Sequence, residues 1–176
     1  MYSKEFEFLV GTAQNKRQGK FMFHLIEVEK NSAILSELVS ELDAFQTALY
    51  PAESDHCIDL TSIPDESLRC IVVRDEEGAT VGCGAVLLSG DGAGEIKRVY
   101  IRPAYRGKKL GELIVARLET IAIDSGCRLL RLETGIRQQP AIALYHRCGY
   151  EQCGAFAPYI EDSLSVFMWK QLNSSS

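Results

Sequence analysis

Apolar residues recur at helical spacing in three stretches of the sequence. The first predicted helix begins at Asn31 or Ser32, runs to about Tyr50 and carries one apolar face. The three predicted helices span residues 31–50, 108–125 and 140–149. Gly126 ends the second helix, and Pro140 and Gly149 begin and end the third, as helix-start prolines and helix-end glycines do. The face of the first helix consists of Ile34, Leu38, Leu42 and Phe45.

Shorter apolar stretches between turn residues predict strands. In chain order they span residues 21–29, 69–74, 80–89, 95–102, 127–134, 150–156 and 163–170, with a hairpin turn at residues 75–78. Meandering strands therefore come first, followed by a strand–helix–strand–helix unit and two final strands. This order predicts a mixed α/β fold, in which one sheet carries helices on both faces.

The chain length of 176 residues fits one domain. We expect an N-terminal extension over residues 1–20, the domain over 21–172 and a polar tail over 173–176. No apolar run is long enough to span a bilayer, and the amino terminus mixes charges into its short apolar run. We therefore expect a cytoplasmic protein that does not interact with membranes.

Six cysteines are scattered along the chain without a CxxC pair, which favours free thiols over disulfides. A metal site from Cys148, Cys153 and a histidine is the alternative, but the spacing matches no common zinc pattern. We therefore expect no metal.

Charge is distributed unevenly along the sequence. The net charge of −5 argues against nucleic acid as a partner. Between Glu95 and Gly111, however, cations outnumber the single anion, which indicates a local site for a polyanionic small molecule; a solvated basic face is the alternative. The cations are Lys97, Arg98, Arg102, Arg106, Lys108 and Lys109.

The segment from Val99 to Leu118 predicts a strand, a basic glycine-containing loop and a helix in direct succession. Unpaired N–H groups at a helix start, together with the helix dipole, form a phosphate site. The loop is no Walker motif, because it lacks GxxxxGK[ST]. Gly82-Cys83-Gly84 is no dinucleotide fingerprint either, because Leu87 stands where the third glycine belongs.

Two motifs resemble those of the GNAT acetyltransferases. The loop Arg106-Gly107-Lys108-Lys109-Leu110-Gly111 is similar to the family's pyrophosphate loop, [QR]-x-x-G-x-[GA], except that Lys109 replaces the middle glycine. A lysine amide can still meet a phosphate there if its φ is negative. The segment from Ala141 to Tyr150 resembles the family's A-x-x-L-Y-x-x-x-G-[FY] helix, with Gln138 or Gln139 near the usual asparagine.

The resemblance implies the GNAT fold, a mostly antiparallel twisted sheet with one splayed parallel pair. It also implies acetyl-CoA as co-substrate and no metal. By position, Val99, Tyr100 and Ile101 would bind the pantetheine arm through backbone groups, one of which can stabilise an oxyanion. The loop residues named above and Gln138 would hold the rest of the cofactor.

Two residues are candidates for proton transfer. Glu95 lies at the strand start where certain GNAT enzymes place a catalytic base, and a solvated carboxylate paired with Lys97 is the alternative. Glu133 on the next strand, or water, could take the same role. Tyr145 is the candidate general acid for the leaving thiolate. Its alternative role is packing, on one apolar face with Ala141, Leu144 and Cys148.

The implied reaction is direct attack by an amine of a small molecule or peptide on the thioester. Tyr50, Glu53 and His56 lie in a loop that lines the acceptor pocket in many GNAT proteins, although each could also be a surface residue. A non-catalytic acyl-CoA sensor of the same fold is one alternative function. A module whose basic segment binds an acidic protein is another. Exposed sheet edges would allow a homodimer.

Overall fold

The computed structural model describes residues 22–50 and 59–173. The predicted extension, residues 51–58 and the last three residues of the tail lie outside these ranges. Three helices are present in the described ranges, α1 (Ala33–Leu49), α2 (Leu110–Asp124) and α3 (Gln139–Arg147). The strands are β1 (Phe23–Val28), β2 (Leu68–Asp75), β3 (Thr80–Leu88), β4 (Ala93–Ile101), β5 (Leu129–Gly135), β6 (Glu151–Cys153) and β7 (Ser165–Gln171).

The seven strands form one sheet in the order β1-β2-β3-β4-β5-β7-β6. All neighbouring pairs are antiparallel except β4 and β5, which run parallel. Their pairing extends only from Ala93 opposite Leu129 to Ile96 opposite Leu132. Beyond Ile96, β4 keeps its pairing with β3 but loses its ladder with β5. The predicted mixed sheet with one splayed parallel pair is confirmed.

A β-bulge in β4 accounts for the splay. Cys83 and Ala85 of β3 pair with Tyr100 and Lys97 of β4, respectively. One residue separates the two positions on β3 but two separate them on β4, so β4 contains one extra residue. Arg98 in this bulge has a φ of 59°, a strained value for a residue with a side chain. An ion pair with Asp43 of α1 supports it. Because bulges bend a strand and increase its twist, β4 turns away from β5 at this point.

The helices cover both faces of the sheet, as expected. The core cluster that faces α2 and α3 includes Ile96 of β4 and Tyr145 of α3. On the other face α1 packs through its buried leucines against a cluster that includes Tyr100. Side chains alternate along a strand, so Glu95 lies on the α1 face and its neighbour Ile96 on the α2–α3 face. The α2 members of the first cluster are Leu110, Ile114, Val115, Leu118, Ile121 and Ala122.

The predicted apolar face of α1 is partly wrong. Leu38 and Leu42 are buried and the half-buried Ile34 packs against their cluster, but Leu35 also lies in that core and Phe45 is 44% exposed. The ring of Phe45 lies instead 5.8 Å from the Arg106 guanidinium.

The polar edge of α1 is tied to the end of β4. Arg102 donates hydrogen bonds to Glu37 at 3.0 Å and to Glu41 at 2.8 Å. The hydrogen bond from Arg102 lowers the pKa of Glu41, so this carboxylate stays charged and the tie persists at neutral pH.

The end of α1 is anchored to the end of β5. The hydroxyl of Tyr50 accepts a hydrogen bond from the Arg137 backbone N–H at 2.8 Å, and the Arg137 guanidinium lies over the Tyr50 ring. This arrangement requires glycine at position 135, because a Cβ there would lie 1.9 Å from the Tyr50 oxygen.

We therefore expect Gly135→Ala to destabilise the protein by about 1–3 kcal/mol, since the Tyr50 ring must move. Urea denaturation measures the effect. Gly154→Ala is the matched control, because its Cβ would meet a single atom, the Glu161 Oε1, at the longer distance of 3.2 Å. Introducing Tyr50→Ala into the Gly135→Ala protein should cost less stability than in the wild type. Additive losses would show that Tyr50 does not create the requirement.

Candidate active site

The loop before α2 exposes backbone donors. The backbone N–H groups of Gly107, Lys109, Leu110, Gly111 and Glu112 donate to no carbonyl within the described residues, and regular bonding resumes with Leu113 N–H to the Lys109 carbonyl at 3.3 Å. Arg106, Gly107 and Lys109 are exposed. A helix start with unpaired donors and added cations suits an anionic group. One short helical turn, Pro103–Tyr105, separates the loop from the splayed end of β4.

The residues of this loop differ in their contacts and backbone conformation. Arg106 packs over Phe45, and its Nε donates to the Ile101 carbonyl at 3.2 Å. Gly107 has a φ of 82°, which glycine adopts without strain. A Cβ at Gly111 would lie 2.8 Å from Leu144, so this glycine also lets α3 approach α2. Leu110 is buried and begins the helix.

The other residues assigned to the cofactor lie at the same end of β4 and β5. Val99, Tyr100 and Ile101 follow the point where the β4–β5 ladder stops, so this edge of β4 has no strand partner among the described residues. The Tyr100 side chain points to α1 and bonds Glu41 at 3.2 Å, which leaves only its backbone for a cofactor. Gln138 precedes α3, and its side-chain oxygen accepts from the Thr134 hydroxyl at 3.4 Å.

Glu95 is a buried carboxylate, 8% exposed, so the alternative of a solvated side chain is wrong. Its Oε1 accepts from the Lys97 ammonium at 2.9 Å and from the Tyr159 hydroxyl at 2.5 Å. The Lys97 ammonium also donates to the Tyr159 oxygen at 2.9 Å. Glu95 is therefore paired with Lys97 as the alternative proposed, but the pair is buried rather than solvated.

Glu133 of β5 lies on the same face of the sheet as Glu95. The Ser165 hydroxyl donates a hydrogen bond to its Oε1 at 2.9 Å. The structure thus brings two carboxylates to one face of the diverging strands. Tyr50 lies near Glu133 at the end of β5, and burial raises the pKa of Tyr50. Glu53 and His56 lie outside the described residues.

Tyr145 lies on the opposite face of the sheet. Its ring is buried at 7% exposure and meets the Tyr150 ring edge-on at 5.8 Å. No described residue hydrogen-bonds its hydroxyl. Burial raises the pKa of Tyr145 well above its usual range, so the hydroxyl keeps its proton at neutral pH.

A cavity of about 340 Å³ opens between α1 and the turn Leu60–Ser62. Its lining includes Ser36, Ser40, Asp43 and Arg98, the bulged residue of β4. The cavity therefore adjoins the sheet face that carries Glu95.

Tyr159 was not identified from the sequence as a residue of the site. It lies in the segment between β6 and β7, which contains no motif, and only the fold brings it to Glu95. Any of the seven tyrosines could have been the partner by sequence alone.

Comparisons with known proteins identify the family. Residues 34–150 match the sequence model of the acetyltransferase (GNAT) family. The chain belongs to the GNAT acetyltransferase family. It is 42% identical over 137 residues to an IAA acetyltransferase of Azospirillum brasilense, covering 77% of this chain and 89% of that protein.

Solved GNAT structures agree with the fold. An acyl-CoA N-acyltransferase from Klebsiella pneumoniae superposes with a TM-score of 0.79 at 45% identity, covering 86% of this chain and 99% of that one. The PaiA N-acetyltransferase of Thermoplasma acidophilum, solved with coenzyme A, superposes at 0.65 with 16% identity over 85% and 98% of the two chains. At that identity the second likeness concerns the fold alone.

Three further observations concern metal ligands, membrane helices and thiols in this GNAT domain. Within residues 22–50 and 59–173, no group of three or more His, Cys, Asp and Glu side chains could hold a metal ion. In the same ranges no helix is both long and apolar enough to cross a bilayer. Burial raises the pKa of Cys70 to about 11 and that of Cys83 to about 12, which leaves both thiols protonated at neutral pH.

Lys109 departs from the family's glycine in sequence but keeps the glycine conformation. Its φ is 61°, so the condition of a negative φ is not met. The left-handed conformation crowds the Cβ against the following carbonyl. The chain accepts this strain at the residue immediately before α2.

We therefore expect Lys109→Gly to stabilise the protein by about 0.5–1 kcal/mol, the left-handed penalty less the entropy of glycine. Thermal unfolding measures the change as a higher Tm. Lys108→Gly is the matched control, because Lys108 lacks a positive φ and should lose stability instead. Equal effects of the two substitutions would contradict the strain at position 109.

Proposed function

We propose that this protein transfers the acetyl group of acetyl-CoA to an amine of a small molecule or peptide by direct attack. The observation that carries the proposal is the row of unpaired amides at the start of α2, next to the split between β4 and β5. A diphosphate needs several convergent donors, and this loop supplies them together with Arg106, Lys108 and Lys109.

The residues present fit the cofactor. The loop amides would hold its diphosphate, and the unpartnered edge of β4 from Val99 to Ile101 would bind the pantetheine arm. Acetyl-CoA supplies the acetyl thioester. A backbone N–H on that edge is the proposed donor for the developing oxyanion, because such preorganised donors stabilise charge where it forms. Gln138 would contact the cofactor from the start of α3.

Two side chains on opposite faces of the sheet would accept and donate protons during the reaction. Glu95 would accept the proton of the acceptor amine, which is largely protonated at neutral pH when its pKa is about 10.4. Tyr145 would give a proton to the departing thiolate and regain one from solvent, which would also take the second proton that the nitrogen loses after attack. The cavity beside Arg98 is the proposed place for the rest of the acceptor, since it adjoins the face that carries Glu95.

At pH 7 we expect Glu95→Gln to lower kcat by about 10²- to 10⁴-fold, because the amine loses its proton acceptor. The KM for acetyl-CoA should stay the same, since Glu95 faces the acceptor side. Thiol release from acetyl-CoA with a panel of amines measures both. The defect should shrink as the pH rises towards the pKa of the amine, which then arrives neutral.

Glu133→Gln is the matched variant, because Glu133 is the second carboxylate on this face of the sheet and lies on the neighbouring strand β5. A large loss in Glu133→Gln with none in Glu95→Gln would transfer the base to Glu133. Acetyl-CoA binding without turnover of any amine would instead favour the acyl-CoA sensor. Absence of acetyl-CoA binding would overturn the proposed function itself.

We expect Tyr145→Phe to lower kcat by about 10²-fold while leaving Tm unchanged. The ring and its packing stay in place, and the lost hydroxyl had no hydrogen-bond partner among the described residues. Parallel kinetics and thermal unfolding provide the check. An unchanged kcat would show that Tyr145 serves packing alone.

A further inference from the structure

Glu95, Lys97 and Tyr159 form a closed triangle of hydrogen bonds. The Tyr159 hydroxyl and the Lys97 ammonium both donate to Oε1 of Glu95, at 2.5 and 2.9 Å, and Lys97 donates to the Tyr159 oxygen at 2.9 Å. The side chains of Glu95 and Lys97 are only 11% and 9% exposed. Hydrogen bonds between charged groups gain strength when water is excluded, so this triangle holds the carboxylate firmly.

The two carboxylate oxygens are not equivalent. Oε1 accepts both hydrogen bonds, whereas Oε2 has no hydrogen-bond partner among the described residues. One oxygen is therefore fixed and the other remains able to accept a proton. A carboxylate held in this way has a single orientation relative to β4.

The segment that carries Tyr159 is itself braced. The Tyr159 ring packs against Phe156 and Phe167, with centroids 5.2 and 5.7 Å away. Its backbone N–H donates to the Phe156 carbonyl at 2.8 Å, and Glu161 accepts from the Ala155 N–H at 2.6 Å. These contacts fix the Tyr159 side chain, so its hydroxyl meets Glu95 in one orientation.

The hydroxyl also stays a donor. Burial, with the hydrogen bond to Glu95 second, raises the pKa of Tyr159 well above its usual range. A protonated phenol can donate to the carboxylate throughout the neutral pH range, while Lys97 donates to the phenol oxygen. Neither group needs to give up its proton for the triangle to persist.

We propose that Tyr159 is a positioning residue for Glu95, holding Oε1 so that Oε2 faces the acceptor amine. This inference rests on the proposed function. In the step it supports, the N–H bond of the acceptor ammonium breaks and an O–H bond forms at Oε2, leaving the nitrogen lone pair free to attack. Tyr159 and Lys97 keep their protons and only fix the carboxylate.

Tyr159→Phe tests the proposal, because it removes the hydroxyl and keeps the ring in its aromatic contacts. We expect kcat to fall about 10- to 100-fold, the cost of a misplaced catalytic group, with the KM for acetyl-CoA unchanged. Because Tyr159 acts through Glu95, the double variant Glu95→Gln/Tyr159→Phe should be no slower than Glu95→Gln alone.

Tyr150→Phe is the matched control. It also removes a tyrosine hydroxyl that donates to a glutamate, Glu119 at 3.1 Å, but on the other face of the sheet. We expect its kcat to stay within about threefold of the wild type, because the lost hydroxyl bonds Glu119 and not Glu95, and the ring stays in place.

The outcomes separate this inference from the function on which it rests. A slow Tyr159→Phe variant whose defect vanishes in the Glu95→Gln background supports the positioning role. Active wild type, slow Glu95→Gln and fully active Tyr159→Phe would overturn the positioning role and leave the transferase intact. Independent, multiplying losses in the double variant would also overturn it. Wild-type protein that turns over no amine would overturn both.

Discussion

The structure depends on the bulge at Arg98, which forces β4 away from β5. Before the bulge the two strands share a parallel ladder, and after it their ladder ends, which leaves the facing edge of β4 without a strand partner among the described residues. The conformation is costly for an arginine, and two contacts support it. Asp43 of α1 pairs with the guanidinium, and the Cys83 thiol donates to the Arg98 carbonyl at 3.3 Å.

Around this split the fold places three kinds of chemical group. Backbone donors lie at the start of α2, because β4 leads into the loop from Arg106 to Lys109. A pinned carboxylate, Glu95, lies on the α1 face, and a tyrosine hydroxyl, that of Tyr145, lies on the α2–α3 face. A strand edge thus separates the proposed proton acceptor from the proposed proton donor. Such a division suits a reaction in which a nitrogen loses protons on one face and a sulfur gains one on the other.

The sequence predicts those parts of the site that depend on local spacing. Helix α2, the loop before it and the Gly126 and Gly149 helix ends follow from residue type and order, and all lie where expected. The burial of Glu95 could not be predicted, because it depends on Tyr159, which lies 64 residues further along the chain. Phe45 fits the helical period of α1, yet it lies beyond the core and meets Arg106 instead. The positive φ of Lys109 could not be predicted either, because the residue type lysine does not indicate a left-handed backbone conformation.

The most direct test of this account concerns the amides between Gly107 and Glu112. Amide chemical shifts in 15N-labelled protein, followed while coenzyme A is added, report on each of these N–H groups separately. We expect their resonances to move more than those elsewhere in α2, because these N–H groups would donate to diphosphate oxygens. If coenzyme A left these resonances unmoved, or shifted only residues on another surface, the proposed binding site would be wrong.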